Sequence, residues 1–236
     1  MGRIATFDSG EGRQEAAHAP RHETGQSKAE ATGRGQMEGV LATVLDFGEQ
    51  LQQLWTFAHG VEQHLDQRLV EPRRVGEAEG WWREEYFTEI IGSTFPRFLR
   101  YSVILTIYGI TEGTLTEICG FVQRRRQIPF AVHETRGSGL RQRVQYLSRC
   151  LGEQFTVPDQ LHHLAAVRHC IAHVSGDLLN WNQRQHVEKA AQALGLRIER
   201  GRIVVPFEAC APLAQTALDW LNGIVAAVDP KLWSVR

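Results

Sequence analysis

Leu161 to Leu179 reads LHHLAAVRHCIAHVSGDLL, and this stretch decides the fold. At 100° per residue, Leu161, Leu164, Ala165, Ile171 and Ala172 share one arc, the pattern of a helix with a single apolar stripe. Ser175-Gly176 supplies the stop, since glycine just past the last periodic residue favours a left-handed helix end. Arg168 falls in the middle of the apolar arc. His162, His169 and His173 form a second stripe on the adjacent face. A guanidinium at a core position needs a partner, because leaving a charge buried and unpaired costs several kcal/mol.

The same periodicity extends outward from this segment. Thr156-Val157-Pro158-Asp159 opens the helix, predicted over about 157–174. Upstream, a long helix over about 95–126 carries Tyr101, Ile104, Leu105, Tyr108, Leu115 and Cys119 as its stripe. Ser93-Thr94 is its expected cap, and Pro96 is tolerated in its first turn. Residues 39–70 repeat Val40, Leu41, Val44, Leu45, Phe47, Leu51, Leu54, Trp55 and Phe57 at helical spacing, ended by Glu71-Pro72. A short acidic and aromatic helix is expected over 77–92, a loop over 127–138, and a basic amphipathic helix over 139–152. Another helix is expected over 183–194, ended by Gly195. LRIERGRIVVP (196–206) alternates and turns near Arg200-Gly201, the pattern of a hairpin. A last helix is expected over about 208–228, running to Asp229-Pro230. The fold class is therefore all-α, a helical bundle with one short β-hairpin near the C-terminus.

Composition bounds the rest. The 236 residues carry 26 Lys plus Arg against 27 Asp plus Glu, a net charge of −1. That balance argues against a coat of basic charge but allows a local basic site. No apolar run reaches the ~18–20 residues of a membrane span, and the first 20 residues lack the apolar core of a secretory leader. Cys119, Cys150, Cys170 and Cys210 are widely spaced, which fits reduced, mostly buried thiols in a cytoplasmic protein. Residues 1–36 hold Ile4 and Phe7 as their only large aliphatic or aromatic side chains and are expected to be a disordered tail. Residues 37–236 are expected to form one helical domain. Met37, the only methionine besides Met1, is a candidate alternative start.

Charge inside that domain is uneven. Between Cys119 and Cys150 stand seven arginines (124, 125, 126, 136, 141, 143 and 149) and one acid, Glu134. Arginine's planar fork suits phosphate, and this local excess could hold a polyanion. A solvated helix end is the alternative reading. Glu112 lies inside the apolar arc of the long helix, as Arg168 does in its own. The two are expected to meet as a hydrogen-bonded ion pair between packed helices, with Glu112 orienting Arg168. Snorkelling of each to solvent is the other option.

Arg168-His169-Cys170-Ile171-Ala172-His173 is an R-x4-H motif. With 10 His and 23 Arg in the chain, roughly one such spacing is expected by chance; Arg13–His18 is another instance. Context distinguishes the later one: it ends a bundle helix, precedes a turn, and follows a long helix with an inward acid. FPRFLRYSVILTIYGITEGTLTEIC and LHHLAAVRHCIAHVSGDLL together resemble the two core helices of the prokaryotic HEPN superfamily, over about residues 95–228. His169 stands in the polar slot where asparagine is commoner.

The resemblance implies an all-α, homodimeric, metal-independent endoribonuclease of a toxin–antitoxin or phage-defence system, with an antitoxin or defence-system partner protein. RNA would be its substrate and no cofactor would be required. It assigns Arg168, His173, His169 and Glu112 to the catalytic site, at a twofold axis where two motif helices meet. Arg124, Arg125, Arg126, Arg141 and Arg143 are the expected RNA-binding set. A non-catalytic HEPN-like RNA-binding or regulatory subunit is the rival reading. His169 and His173 also have the i, i+4 spacing of helical zinc ligands, but Cys170 stands where a hydrolytic zinc helix carries glutamate.

Overall fold

A computed structural model describes the backbone of residues 25–70 and 89–233 and the side chains of 46–68 and 89–228. The chain divides into two units, Met1–Gln36 and Met37–Arg236, and the second holds every site residue named above. The described residues form six α-helices and a two-stranded antiparallel sheet: α1 Gly25–Val70, α2 Phe95–Arg126, α3 Gly139–Leu151, α4 Asp159–Val174, α5 Arg184–Ala193, β1 Arg197–Glu199, β2 Arg202–Val204 and α6 Cys210–Trp233. The fold is all-α with one short hairpin. Among the described residues no helix is long and apolar enough to cross a membrane.

Helix α2 is the centre of the domain. It packs against α3, α4 and α6, while α5 lies on α4. Its sides toward these neighbours bury Tyr101, Ile104, Ile107, Tyr108, Leu115, Ile118 and Cys119. Thr111 and Thr114 are buried among them. Thr111 donates its hydroxyl to the Ile107 carbonyl at 2.6 Å, which satisfies it within the helix.

Several ends differ from the pattern-based expectation. Ser93 and Thr94 do not cap α2, because Ile90–Thr94 is already a π turn that feeds into it, with Thr94 in helical geometry. The expected helix over 77–92 otherwise lies outside the described residues, as do residues 1–24 of the expected tail. Helix α1 is already formed at Gly25, ahead of the expected start near residue 39 and within the expected tail; Gln, Lys, Ala, Glu and Arg in 26–36 favour helix by propensity, offsetting Gly33 and Gly35. Within it Phe47 and Leu51 are buried and Leu54 and Trp55 pack against the core as the periodicity predicts, whereas Phe57 is 64% exposed and the fully buried Ala58 takes the next core position. Helix α6 continues past Pro230 to Trp233, since a proline this near the end removes only one intrahelical donor.

Arg100 ties α1 to α2. Its Nε and Nη2 donate to the two carboxylate oxygens of Glu62 at 2.6 and 2.7 Å, and Nη1 donates to the Val205 carbonyl. The pair is mostly shielded, at 25% and 12% side-chain exposure. Glu62→Gln is expected to lower stability by about 1–3 kcal/mol, the range for charge-assisted hydrogen bonds. Urea unfolding monitored by circular dichroism measures it.

Candidate functional site

The site is built where α4 ends. Ser175 adopts a left-handed conformation (φ 51°) and donates its N–H to the Ile171 carbonyl at 3.0 Å. Gly176 follows at φ 73° and donates to the Cys170 carbonyl at 3.4 Å. The Asp177 carboxylate then accepts from the Leu179 N–H at 2.9 Å and from Asn180 Nδ2 at 3.0 Å. This cap turns the chain through the short helical turn Leu178–Asn180 and brings Trp181 back onto the last turns of α4.

Three rings meet there. His169 and His173, one turn apart and both exposed, have centroids 4.4 Å apart in an edge-on arrangement. Trp181 lies edge-on to His169 at 5.3 Å and nearly parallel to His173 at 6.3 Å. The indole Nε1 is buried without a hydrogen-bond partner among the described residues. Desolvation, followed by the positive charges of His173 and Arg168, lowers the His169 pKa below its ordinary value.

That shift has a sign. Below about pH 6.5 the unfolded chain binds more protons at residue 169 than the folded chain, so stability falls as pH drops through that region. His169→Gln is expected to flatten this slope between pH 7 and 5, as read by denaturation midpoints at each pH.

Arg168 points elsewhere. Its guanidinium lies over the Tyr108 ring, 5.3 Å from the centroid. The Glu112 carboxylate is taken by Arg143 Nη1 at 2.9 Å. Arg143 is further held by the Gly139 carbonyl at 2.8 Å and by Thr116 Oγ1. The expected Glu112–Arg168 pair is thus replaced by a four-residue chain of contacts in which Tyr108 stands beside both charges. Burial and then Glu112 raise the Tyr108 pKa, opposed by the Leu140 backbone hydrogen bond, Arg168 and Arg143.

The reason for the difference is rotational. The buried face of α4 comprises Leu161, Leu164, Val167, Cys170 and Ile171, whereas Ala172 is exposed. Its centre lies about 70° from the arc read from the sequence, because α4 is covered by α2 on one side and α5 on the other. Val167 and Cys170 belong to the core. Arg168 sits at its edge, half-buried, where a cation over an aromatic face suffices. Glu112→Gln is therefore expected to cost about 1–2 kcal/mol by releasing Arg143, which thermal melting reads.

The expected RNA-binding arginines are distributed over α2 and α3. Arg141 lies at the mouth of a groove between α3 and α4 together with His162, Gln145 and Phe155. Arg143 is engaged with Glu112. Arg124, Arg125 and Arg126 are twelve to fourteen positions beyond Glu112 on α2, about 18–21 Å along the axis. Arg149 stacks over Phe130 at 4.2 Å.

All four cysteines are free, and three are buried. Burial pushes Cys119 and Cys210 up to about 12 and Cys170 up to about 11, which keeps these thiols protonated and unreactive at neutral pH. Among the described residues no group of three or more His, Cys, Asp or Glu side chains is arranged to hold a metal ion.

Two members of the site are not singled out by sequence reasoning. Periodicity places Tyr108 in the core stripe and says nothing of the cation it carries. For Trp181 the one available signal is an aromatic four residues after the Asp177 of the turn. No family model, no curated protein and no solved structure matches this chain.

Proposed function

We propose that this chain is a metal-independent endoribonuclease of HEPN type, a cytoplasmic homodimer acting within a toxin–antitoxin or phage-defence system. The observation that carries the reading is the pairing of two exposed imidazoles, His169 and His173, one and five residues after Arg168 at the end of one bundle helix. Imidazole is the side chain that exchanges protons near neutral pH. A guanidinium is the permanent cation best shaped for phosphate.

In this reading His173 removes the proton from a ribose 2′-hydroxyl. The freed 2′-oxygen attacks the adjacent phosphorus, and Arg168 offsets the charge that builds on the phosphoryl oxygens. The bond from phosphorus to the 5′-oxygen breaks, and a histidine of the second subunit returns a proton to that oxygen. A 2′,3′-cyclic phosphate and a 5′-hydroxyl result. Arg168 and His173 are about 140° apart around the α4 axis. A twofold pairing of α4 helices brings Arg168 of one subunit toward His173 of the other, the self-complementary arrangement of a homodimer. Arg141 would contact the RNA near the α3–α4 groove, and Arg124, Arg125 and Arg126 a more distant part of it.

One observation favours a second reading. The guanidinium of Arg168 is already engaged on Tyr108, as it would be in a non-catalytic RNA-binding or regulatory subunit. Incubating the protein with structured and single-stranded RNAs in EDTA separates the two. Cleavage is the expected result, and binding without cleavage would support the regulatory subunit.

A further inference from the structure

A basic surface lies beside the end of α4 and is assembled from segments about 100 residues apart. The first turns of α2 and the hairpin enclose a cleft of about 600 Å³. Arg97 and Arg100 approach it from α2, and Arg200 and Arg202 from the hairpin. Arg100 is neutralised by Glu62. Of the two carboxylates at the rim, Glu199 is paired with Arg197 at 3.3 Å, which leaves Glu89 opposite Arg97, Arg200 and Arg202.

The cleft is joined rigidly to the candidate site. Ile203 N–H donates to the Gly176 carbonyl at 3.0 Å, and Leu178 N–H donates to the Gly201 carbonyl at 2.8 Å. The buried Tyr101 hydroxyl donates to the Ile203 carbonyl. Arg202 bridges to Asp177 through the backbone, four residues after His173. Burial pushes the Tyr101 phenol up to about 12, with Arg97 and Arg202 acting against it. Arg200 occupies the first of two left-handed positions in the turn (φ 50°, with Gly201 at φ 76°). That position suits Asn or Gly, and a long cationic side chain is held there against local preference.

We infer that the cleft formed by Arg97, Arg200 and Arg202 binds the phosphodiester backbone of single-stranded RNA on its way to His169 and His173. The inference rests on the ribonuclease reading for the identity of the polyanion. Three guanidinium forks on two separate elements fit successive phosphates of one flexible strand. Guanidinium groups on arginines of this kind suit contact with phosphates of the backbone.

The test uses a fluorescent 2′-O-methyl oligouridylate, which lacks the attacking hydroxyl and cannot be cleaved by the proposed route. Its binding to the full chain is followed by anisotropy across a salt series. Replacing Arg97, Arg200 and Arg202 together by Gln is expected to lower the slope of log K against log salt by about 2, at about 0.7 for each phosphate no longer held. Affinity at low salt should fall by at least about tenfold. Arg200→Asn is the second variant: it relieves the turn, so its melting temperature should not fall, yet its binding should weaken. Wild-type affinity and slope in both variants would overturn the proposal, as would a wild-type protein that does not bind the oligonucleotide. Arginine-dependent binding by a protein that cuts no RNA would sink the nuclease reading and leave the cleft standing. Cleavage with binding unchanged in the variants would do the reverse.

Discussion

His173→Ala is expected to slow RNA cleavage by about 10²–10⁴-fold, the range supplied by a positioned general acid or base. Arg168→Ala is expected to slow it by about 10²–10³-fold, the scale for removing one group that stabilises charge in the transition state. The two should differ in their structural cost. His173 is exposed, so its loss leaves melting unchanged. Arg168 covers Tyr108, and its truncation removes a cation–aromatic interaction of about 1 kcal/mol. Single-turnover rates in EDTA, measured beside circular dichroism, resolve the pair of effects. Rates within tenfold of wild type in both variants would remove these residues from the chemistry.

Gly176→Ala is expected to lower stability by about 2–5 kcal/mol. Two causes add. The residue sits at φ 73°, where a Cβ costs about 1–2 kcal/mol. The new methyl would also press on Tyr101, with its ring carbon Cζ only 2.8 Å away and its hydroxyl nearer still, an overpacking cost of about 1–3 kcal/mol. Tyr101 cannot retreat easily, because its hydroxyl is tied to Ile203. Gly223→Ala is the contrast. It lies exposed in α6 with nothing within 4 Å of the added carbon, and is expected to stabilise by about 0.5–1 kcal/mol. Urea titrations of the two variants should move in opposite directions.

Where the sequence could be read, local chemistry dominates. Gly152, Gly176 and Gly195 each adopt positive φ at or just after a helix end, which is why α3, α4 and α5 stop where glycine suggests. Arg200-Gly201 makes the hairpin turn, and the strands pair Arg197 with Val204 and Glu199 with Arg202. Period and turn chemistry are properties of neighbouring residues, so they survive in a one-dimensional reading.

The side-chain partners were less legible. Arg168 and Glu112 each lie in an apolar arc, but which charge meets which depends on the rotation of α4 between two covering helices. Arg143, on a third helix, reaches Glu112 first. Trp181 becomes part of the site only because the Asp177 cap folds the chain back. The arginine cleft was invisible for a simpler reason. Arg97 and Arg202 are about a hundred residues apart, while the conspicuous run at 124–126 lies at the opposite end of α2. Charge density along a chain and charge density on a surface are different quantities.

The most direct measurement is the chemistry of the cut ends. Purified protein incubated with single-stranded RNA in EDTA should yield 3′ fragments with 5′-hydroxyls and 5′ fragments ending in 2′,3′-cyclic phosphate. These products require the ribose 2′-oxygen as the attacking group, so replacing the 2′-hydroxyl at the cut position by hydrogen should abolish cleavage there. RNA left intact, or cut to give 5′-phosphates, would contradict the account.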